Sequence, residues 1–195
     1  MSIDFYKTTA IPCRTDSPLC GISCLFLDVD GTLTDGGVYY DENGNELKKF
    51  SVKDGAGFIT AKACGIRIIV LTARSCKATE KRMQEFGVQL SQNVLDKPAW
   101  IRQYMHENGL QKSQTAYIGD DLIDYAAMQL TGFVGCPADA ADEIRAIADY
   151  VSSRRGGDGA FRDTVSYLLK QRGQWDAAIA GCYHFNSFDE TGETI

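Results

Sequence analysis

Two carboxylates separated by one residue mark the most reactive-looking stretch of this 195-residue chain. Asp28 and Asp30 lie in Leu27-Asp-Val-Asp-Gly-Thr-Leu-Thr-Asp-Gly36, directly after an apolar run. Carboxylates this close repel when both are ionised, which raises one pKa and lets the pair divide nucleophile and general-acid roles. An Asx turn with a capping Asp accounts for the same string without chemistry. Ile69-Val-Leu-Thr72 ends a second apolar run on a hydroxyl suited to a phosphate oxygen; as a helix N-cap it needs no ligand. Lys97, ahead of Pro98 and a helical stretch, either brings a cation to the same place or is a surface lysine. Ile118-Gly-Asp-Asp-Leu-Ile-Asp124 gathers three carboxylates after another run. Such oxygen-rich clusters suit the hard Mg²⁺ ion, and acidic residues in a first helical turn also suit the helix dipole alone.

These residues meet only if the chain brings several strand ends together. Apolar runs at Cys24–Val29, Ile66–Leu71, Thr115–Ile118 and, more weakly, Gly132–Cys136 have the near-continuous hydrophobicity of strands buried on both faces of a parallel sheet. Helical stretches lie near Gly55–Ala63, Cys76–Phe86, Pro98–Asn108, Leu122–Leu130, Ala141–Ala148 and Ala160–Gln171. Gly65, Gly87 and Gly109 follow helices as C-terminal caps do. The alternation predicts an α/β fold, a doubly wound parallel sheet with right-handed crossovers. Its ligand crevice lies at the carboxyl ends of the strands, where Asp28, Thr72 and Asp120 fall. One segment breaks the pattern: Val38 to Phe50 carries Asn43-Gly44 between β-prone flanks, the signal of a hairpin with a type I′ turn. Residues 1–21 read as a leader and 22–172 as the domain. Residues 173–195 read as a polar, aromatic tail ordered only when something binds it.

The length suffices for one α/β domain with a substantial core. Twenty Lys and Arg against 26 Asp and Glu give a net charge of −6, which argues against nucleic acid as a partner. No apolar run approaches the ~20 residues that span a bilayer. Met1–Pro18 holds charges, Pro and Cys where a signal peptide would be apolar. A cytoplasmic protein with no membrane partner is expected. The seven cysteines are scattered, with no C-x-x-C and no His at ligand spacing. Reduced thiols acting as small hydrophobes are therefore expected, rather than a zinc site or a disulfide framework.

The order D-x-D-G-T, strand-end Thr, Lys, then G-D-D-x-x-D resembles the four motifs of the haloacid dehalogenase superfamily of phosphotransferases. Within it, roughly Leu25 to Leu169 resembles the family of 3-deoxy-D-manno-octulosonate 8-phosphate phosphatases. The matching pieces are Asp30–Gly36, the hairpin, Phe50-Ser-Val-Lys-Asp-Gly55, Leu71-Thr-Ala-Arg-Ser75 with Arg82 downstream, Tyr117–Asp124 and Arg155–Arg162. The resemblance implies a Mg²⁺-dependent phosphomonoesterase of lipopolysaccharide biosynthesis that works through an aspartyl phosphate. By it, Asp28 attacks phosphorus, while Asp30 protonates the leaving sugar oxygen and then activates water. Mg²⁺ is held by Asp28, the backbone carbonyl of Asp30, and Asp120. Thr72 and Lys97 bind the transferring phosphoryl group, and Asp121 and Asp124 orient metal waters or Lys97. Asp30 and Lys97 also touch the substrate, whose sugar and carboxylate meet Ser51, Lys53, Asp54, Gly55, Arg74 and Arg82.

Arg74 stands two residues after Thr72, where a guanidinium fork fits a carboxylate. Lys77, Lys81 and Arg82 extend a basic patch that serves equally well as a solvated helix face. Only 42 positions separate Asp30 from Thr72, and 23 separate Lys97 from Asp120, too few for a cap domain. An uncapped crevice admits water. The hairpin, with Val38, Tyr40, Leu47 and Phe50, is a natural oligomer contact because isolated hairpins are marginal. The resemblance implies a homotetramer whose neighbouring chains complete each site. Gly156-Gly-Asp-Gly159 then lies near a neighbour's substrate, or is simply a flexible loop. Ala73 departs from the family pattern where relatives have Gly, and Asp158 where many have Arg. Phosphatases of nine-carbon keto-acid phosphates tend to be acidic at the position of Arg74. The alternative is such a sialic-acid-type 9-phosphate phosphatase, or a broad phosphosugar phosphatase. A receiver domain also uses Asp, Thr and Lys on a doubly wound sheet, but its Asp follows a middle strand and the hairpin has no place there. A catalytically inactive assembly subunit is the remaining reading.

Overall fold

The computed structural model describes residues 10–183. Six strands form one parallel sheet: β1 (Cys24–Leu27), β4 (Arg67–Leu71), β5 (Gln89–Ser91), β6 (Thr115–Ile118), β7 (Phe133–Cys136) and β8 (Tyr150–Val151). Their spatial order is β5-β4-β1-β6-β7-β8. β1 is central, with Leu27 level with Val70 on one side and Ile118 on the other. The chain builds outward from β1 to β5, then returns to β6 and builds the other way. That reversal opens a crevice at the carboxyl ends of β1, β4 and β6.

The pleat divides the core into two layers. Leu25, Leu27, Ile68, Val70, Ala116, Ile118 and Phe133 face α1 (Gly55–Ala63), α6 (Ala160–Gln171) and α7 (Trp175–Tyr183). Phe26, Ile69, Leu71, Tyr117 and Val134 face α3 (Lys97–Glu107), α4 (Leu122–Met128) and α5 (Asp142–Ile147). Strands so buried on both sides have no polar face, which is why their sequence runs are continuously apolar. α2 (Lys77–Phe86) follows β4 and ends on Gly87 in the left-handed region.

The hairpin forms from β2 (Tyr39–Tyr40) and β3 (Glu46–Leu47), but its turn is not type I′. Gly44 alone has a positive φ, 77°. The Asp41 carboxylate takes the amides of Asn43 and Asn45 at 2.9 and 2.7 Å, stabilising a wider loop. Val38, Tyr40 and Leu47 are exposed, whereas Phe50 turns inward against the core and bridges Thr34.

Three expectations are corrected. Edge strands β5 and β8, three and two residues long, are too short to be legible as strands. Residues 174–183 are not a loose tail. Gly173 ends α6 with φ 62°, and α7 then docks on α1 and α6 with Ala178 wholly buried. The remainder of the expected tail and residues 1–9 of the leader lie outside the described residues. Cys13 and Cys20 form a disulfide, while Cys24, Cys64, Cys76, Cys136 and Cys182 are buried. No helix among the described residues is long and apolar enough to cross a membrane.

Candidate active site

Asp28 follows β1 and Lys97 opens α3, whose N-cap Asp96 takes the amide of Ala99. The Lys97 ammonium lies 2.5 Å from Asp28 Oδ1 and 2.6 Å from Asp124 Oδ1. Its side chain is 1% exposed. Burial works against that charge, but the two carboxylates raise the lysine pKa above its ordinary value. Asp28 is pushed the other way from most carboxylates: burial raises its pKa, Asp124 adds to this, and Lys97 opposes it.

Asp124 belongs to the first turn of α4, where it forms a capping box with Asp121. Both of its oxygens are occupied. Oδ1 also accepts the Tyr117 hydroxyl at 2.7 Å, and Oδ2 accepts the amides of Asp120 at 3.1 Å and Asp121 at 3.4 Å. Asp120 Oδ1 takes the Thr32 hydroxyl at 2.9 Å. Burial, with Asp124 beside it, lifts the Asp120 carboxyl to about 7. Asp121 caps α4 through Leu122 N at 2.8 Å, so its side chain does the ordinary structural job at a helix start.

Gly31 makes this approach possible. Its φ is 87°, and a Cβ there would stand 2.0 Å from Asp120 Oδ2. The D-G-T loop is held from its other side by Gly156 and Gly157. A Cβ on Gly156 would meet Gly31 O at 1.8 Å, and Gly157 N donates to Thr32 O at 3.3 Å. The glycine-rich segment is therefore packed against its own chain's Asp28–Gly36 loop, which the expectation of a flexible loop did not include. Asp158 pairs with Lys53 at 3.2 Å, both exposed.

A cavity of about 190 Å³ opens at this point, lined by Asp28, Asp30, Thr72, Ala73, Arg74, Lys97, Asp120, Asp121 and Ile123. Of the expected site residues, Asp28, Asp30, Thr72, Arg74, Lys97 and Asp120 converge here. Ser51, Lys53, Asp54, Gly55 and Arg82 do not line it. Arg82 packs over Phe86, pairs with Glu85 at 2.5 Å and donates to Ser51 O at 3.2 Å. Asp54 is buried beneath α6, where Oδ1 takes Arg162 N at 2.9 Å and Oδ2 has no partner. Burial lifts its carboxyl to about 6.

Four contributors went unread in the sequence. Thr32 and Tyr117 anchor Asp120 and Asp124. Lys48 pairs with Asp30, and Glu46 takes Arg74 Nε and Nη2 at 3.3 and 3.0 Å. Hydrogen bonding to Glu46 raises the Arg74 pKa, and bonding to Arg74 lowers that of Glu46. The signal for Lys48 and Glu46 was the i, i+2 spacing of two charged residues around Leu47.

Carboxylate oxygens of Asp28, Asp120 and Asp124 all lie within 4.8 Å of one another. Asp124 is saturated, but Asp28 and Asp120 each use one oxygen on the contacts above and keep a second. An oxygen-only donor set with spare carboxylate oxygens, facing a cavity, fits a hard divalent cation.

A model of haloacid dehalogenase-like hydrolases matches residues 82–162. The 3-deoxy-D-manno-octulosonate 8-phosphate phosphatase of Salmonella typhi is 38% identical over 158 residues, covering 80% of this chain and 84% of that protein. The Haemophilus influenzae phosphatase of the same name is 36% identical over 154 residues, 78% of this chain and 86% of that one. Among solved structures, the Moraxella catarrhalis phosphatase in complex with magnesium, phosphate and the sugar acid superposes with a TM-score of 0.80. It is 35% identical, covering 84% of this chain and 94% of that one.

Proposed function

Because the chain belongs to the 3-deoxy-D-manno-octulosonate 8-phosphate phosphatase family of haloacid dehalogenase-like hydrolases, we propose that it hydrolyses that ester to the free sugar acid and phosphate. It is a phosphomonoesterase. The observation that carries the substrate-level reading is the placement of Asp28, with Oδ1 fixed by buried Lys97 and Asp120 alongside, at the mouth of a cavity that also presents Thr72 and Arg74.

Mg²⁺ would be held by Asp28, the backbone carbonyl of Asp30, and Asp120; when bound it supplies positive charge against the phosphoryl oxygens. The chain's own groups do the rest. Lys97 grips Asp28 Oδ1 and so aims Oδ2 at phosphorus. Asp28 forms an aspartyl phosphate as the phosphorus–oxygen bond to the sugar breaks. Asp30 gives its proton to the leaving oxygen, then accepts one from the water that releases phosphate. Thr72 Oγ1 and Lys97 Nζ hold the migrating phosphoryl group. Arg74, partly exposed on the cavity wall, receives the substrate carboxylate.

Ser51, Lys53, Asp54, Gly55 and Arg82 stand outside this cavity. Their substrate role requires a larger site, completed by neighbouring chains. We place the enzyme in the cytoplasm as a homotetramer built through Val38, Tyr39, Tyr40 and Leu47, all exposed on a two-stranded hairpin. Light scattering should give four times 21.4 kDa; a monomer would remove the shared-site reading.

The deciding experiment is phosphate release from the eight-carbon 8-phosphate, a nine-carbon keto-acid 9-phosphate and p-nitrophenyl phosphate, with Mg²⁺ and with EDTA. The reading expects Mg²⁺-dependent turnover, with kcat/KM at least about tenfold higher for the eight-carbon ester, a margin one good contact supplies. A smaller preference would point to a broad phosphatase. A preference for nine carbons would contradict the role given to Arg74.

A further inference from the structure

The hairpin has two faces, and only one of them looks outward. Leu47 is 52% exposed. Glu46 and Lys48 flank it and leave the strand on the opposite side, as alternation requires. The Lys48 side chain is 2% exposed. Its ammonium pairs with Asp30 Oδ1 and with Glu46 Oε1 at 2.8 Å. Glu46 is anchored in turn on Arg74. From the other side, Thr72 Oγ1 lies 3.3 Å from Asp30 Oδ2.

The chemistry of these partners differs. An ammonium only donates, whereas a hydroxyl donates or accepts. While Lys48 stays on Oδ1, that oxygen remains an acceptor. Oδ2 is the oxygen left beside Thr72, whose hydroxyl donates to it. Lys48 and Thr72, one on each oxygen, thus fix the plane of the carboxyl group and leave Oδ2 as the oxygen free of the ammonium.

We propose that Lys48, reaching in from the hairpin, is a positioning residue that orients Asp30 for proton transfer to the leaving oxygen. This rests on the acid role given to Asp30 above. In that step the electron pair of the breaking phosphorus–oxygen bond goes to the sugar oxygen, Asp28 forms the new bond to phosphorus, and the Asp30 proton completes the alcohol.

The step has a chemical readout. A sugar alkoxide leaves poorly without a proton, while p-nitrophenolate needs none. kcat/KM covers only events up to departure of the leaving group, so it isolates the acid step. With Mg²⁺, Lys48→Met should lower kcat/KM for the sugar ester about a hundredfold and for p-nitrophenyl phosphate less than about threefold, within the range general-acid catalysis spans. Lys48→Arg, which keeps a cation, should recover most of the sugar-ester rate. If Lys48→Met does not fold, Lys48→Gln is read in the same way. Equal losses with the two esters, or no loss with the sugar ester, would overturn the inference. A wild-type protein that hydrolyses neither ester would instead defeat the phosphatase reading, so the two failures are separable.

Discussion

Lys97 Nζ and Asp28 Oδ1 are 2.5 Å apart in a place sealed from solvent, with the lysine side chain 1% exposed. The same ammonium meets Asp124 at 2.6 Å. One cation thus neutralises the proposed nucleophile and braces the helix turn that carries Asp120. Stability and chemistry share a single charge, which makes their separation by mutation informative.

Removing that charge should unfold more than it inactivates locally. Lys97→Met leaves two buried carboxylates facing each other, and breaking a buried pair costs about 3–5 kcal/mol. Urea unfolding should show a loss of that order. The double change Lys97→Met with Asp124→Asn removes one uncompensated carboxylate and should regain part of the stability, with no recovery of phosphate release. Full stability in the single variant would contradict the ion-pair geometry.

Asp28→Asn should have the opposite profile. The amide keeps the side chain's shape and an acceptor oxygen for Lys97, and it relieves repulsion with Asp124, so the urea midpoint should stay close to wild type. Phosphate release should fall by at least about a thousandfold, the scale expected when a nucleophile is lost. Near-normal initial rates with Mg²⁺ would remove the nucleophile assignment.

Much of this architecture was legible in the chain because its strongest constraints are local. Leu25 to Leu27 and Ile68 to Leu71 must be buried on both faces and therefore read as apolar runs; Asp28, Thr72 and Asp120 are simply the next residues out. What was not legible depends on partners far along the chain. Lys48 looks like any charged residue of a hairpin until the hairpin folds over Asp30. Phe50 reads as a surface aromatic until the bridge to Thr34 turns it inward. α7 was missed because its buried residues, Ala178 and Cys182, are small and give little periodic signal. Asp54 matched a motif, and only the fold reveals that it lies under α6 rather than in the cavity.

That burial gives Asp54 a pH signature. Its carboxyl is lifted from 3.8 to about 6 by desolvation, so the native state binds its proton more tightly than the unfolded chain does. The sign follows: native stability is highest with the group protonated, and declines as pH rises from about 4 through 6. Asp54→Asn keeps the acceptor for Arg162 N and removes the buried charge. It should stabilise the protein by up to about 3 kcal/mol at pH 8 and leave stability unchanged at pH 4. Urea titrations at the two pH values test this; equal effects at both would refute it.

Truncation after Gly173 should destabilise the domain rather than trim an appendage. α7 covers α1 and α6 with Ala178 and, in part, Trp175, and Gln174 bonds the carbonyl of Ile11. Exposing that surface should lower the unfolding free energy by several kcal/mol, at about 25 cal/mol for each Å² of apolar area uncovered. Ala178→Glu, which buries a charge in the same place, should do likewise. A truncated protein that melts with the full chain would show that α7 contributes no packing.

Gly156→Ala tests the support behind the loop that carries the proposed catalytic residues. Gly156 has no unusual backbone demand of its own; the constraint is space, since its Cβ would meet Gly31 O at 1.8 Å and Thr34 O at 2.9 Å. Both are backbone atoms, so no rotamer change relieves the clash, and either the loop at 31–35 or the segment at 155–159 must move. Overpacking of this kind costs about 1–3 kcal/mol in ordinary cores. Because Gly31 packs on Asp120 and Thr32 bonds it, the displacement should pass directly to the proposed metal ligands. We expect a modest fall in the urea midpoint together with a weakened response to Mg²⁺: thermal stabilisation by the ion should need several-fold higher concentration, about the factor that a 1 kcal/mol loss of binding gives. Gly159→Ala is the control. Its Cβ would find only the Lys53 side chain at 3.5 Å, although its φ of 95° adds local strain. It should therefore lower stability while leaving the Mg²⁺ response in place. Matching Mg²⁺ responses in the two variants would mean that Gly156 does not support the site.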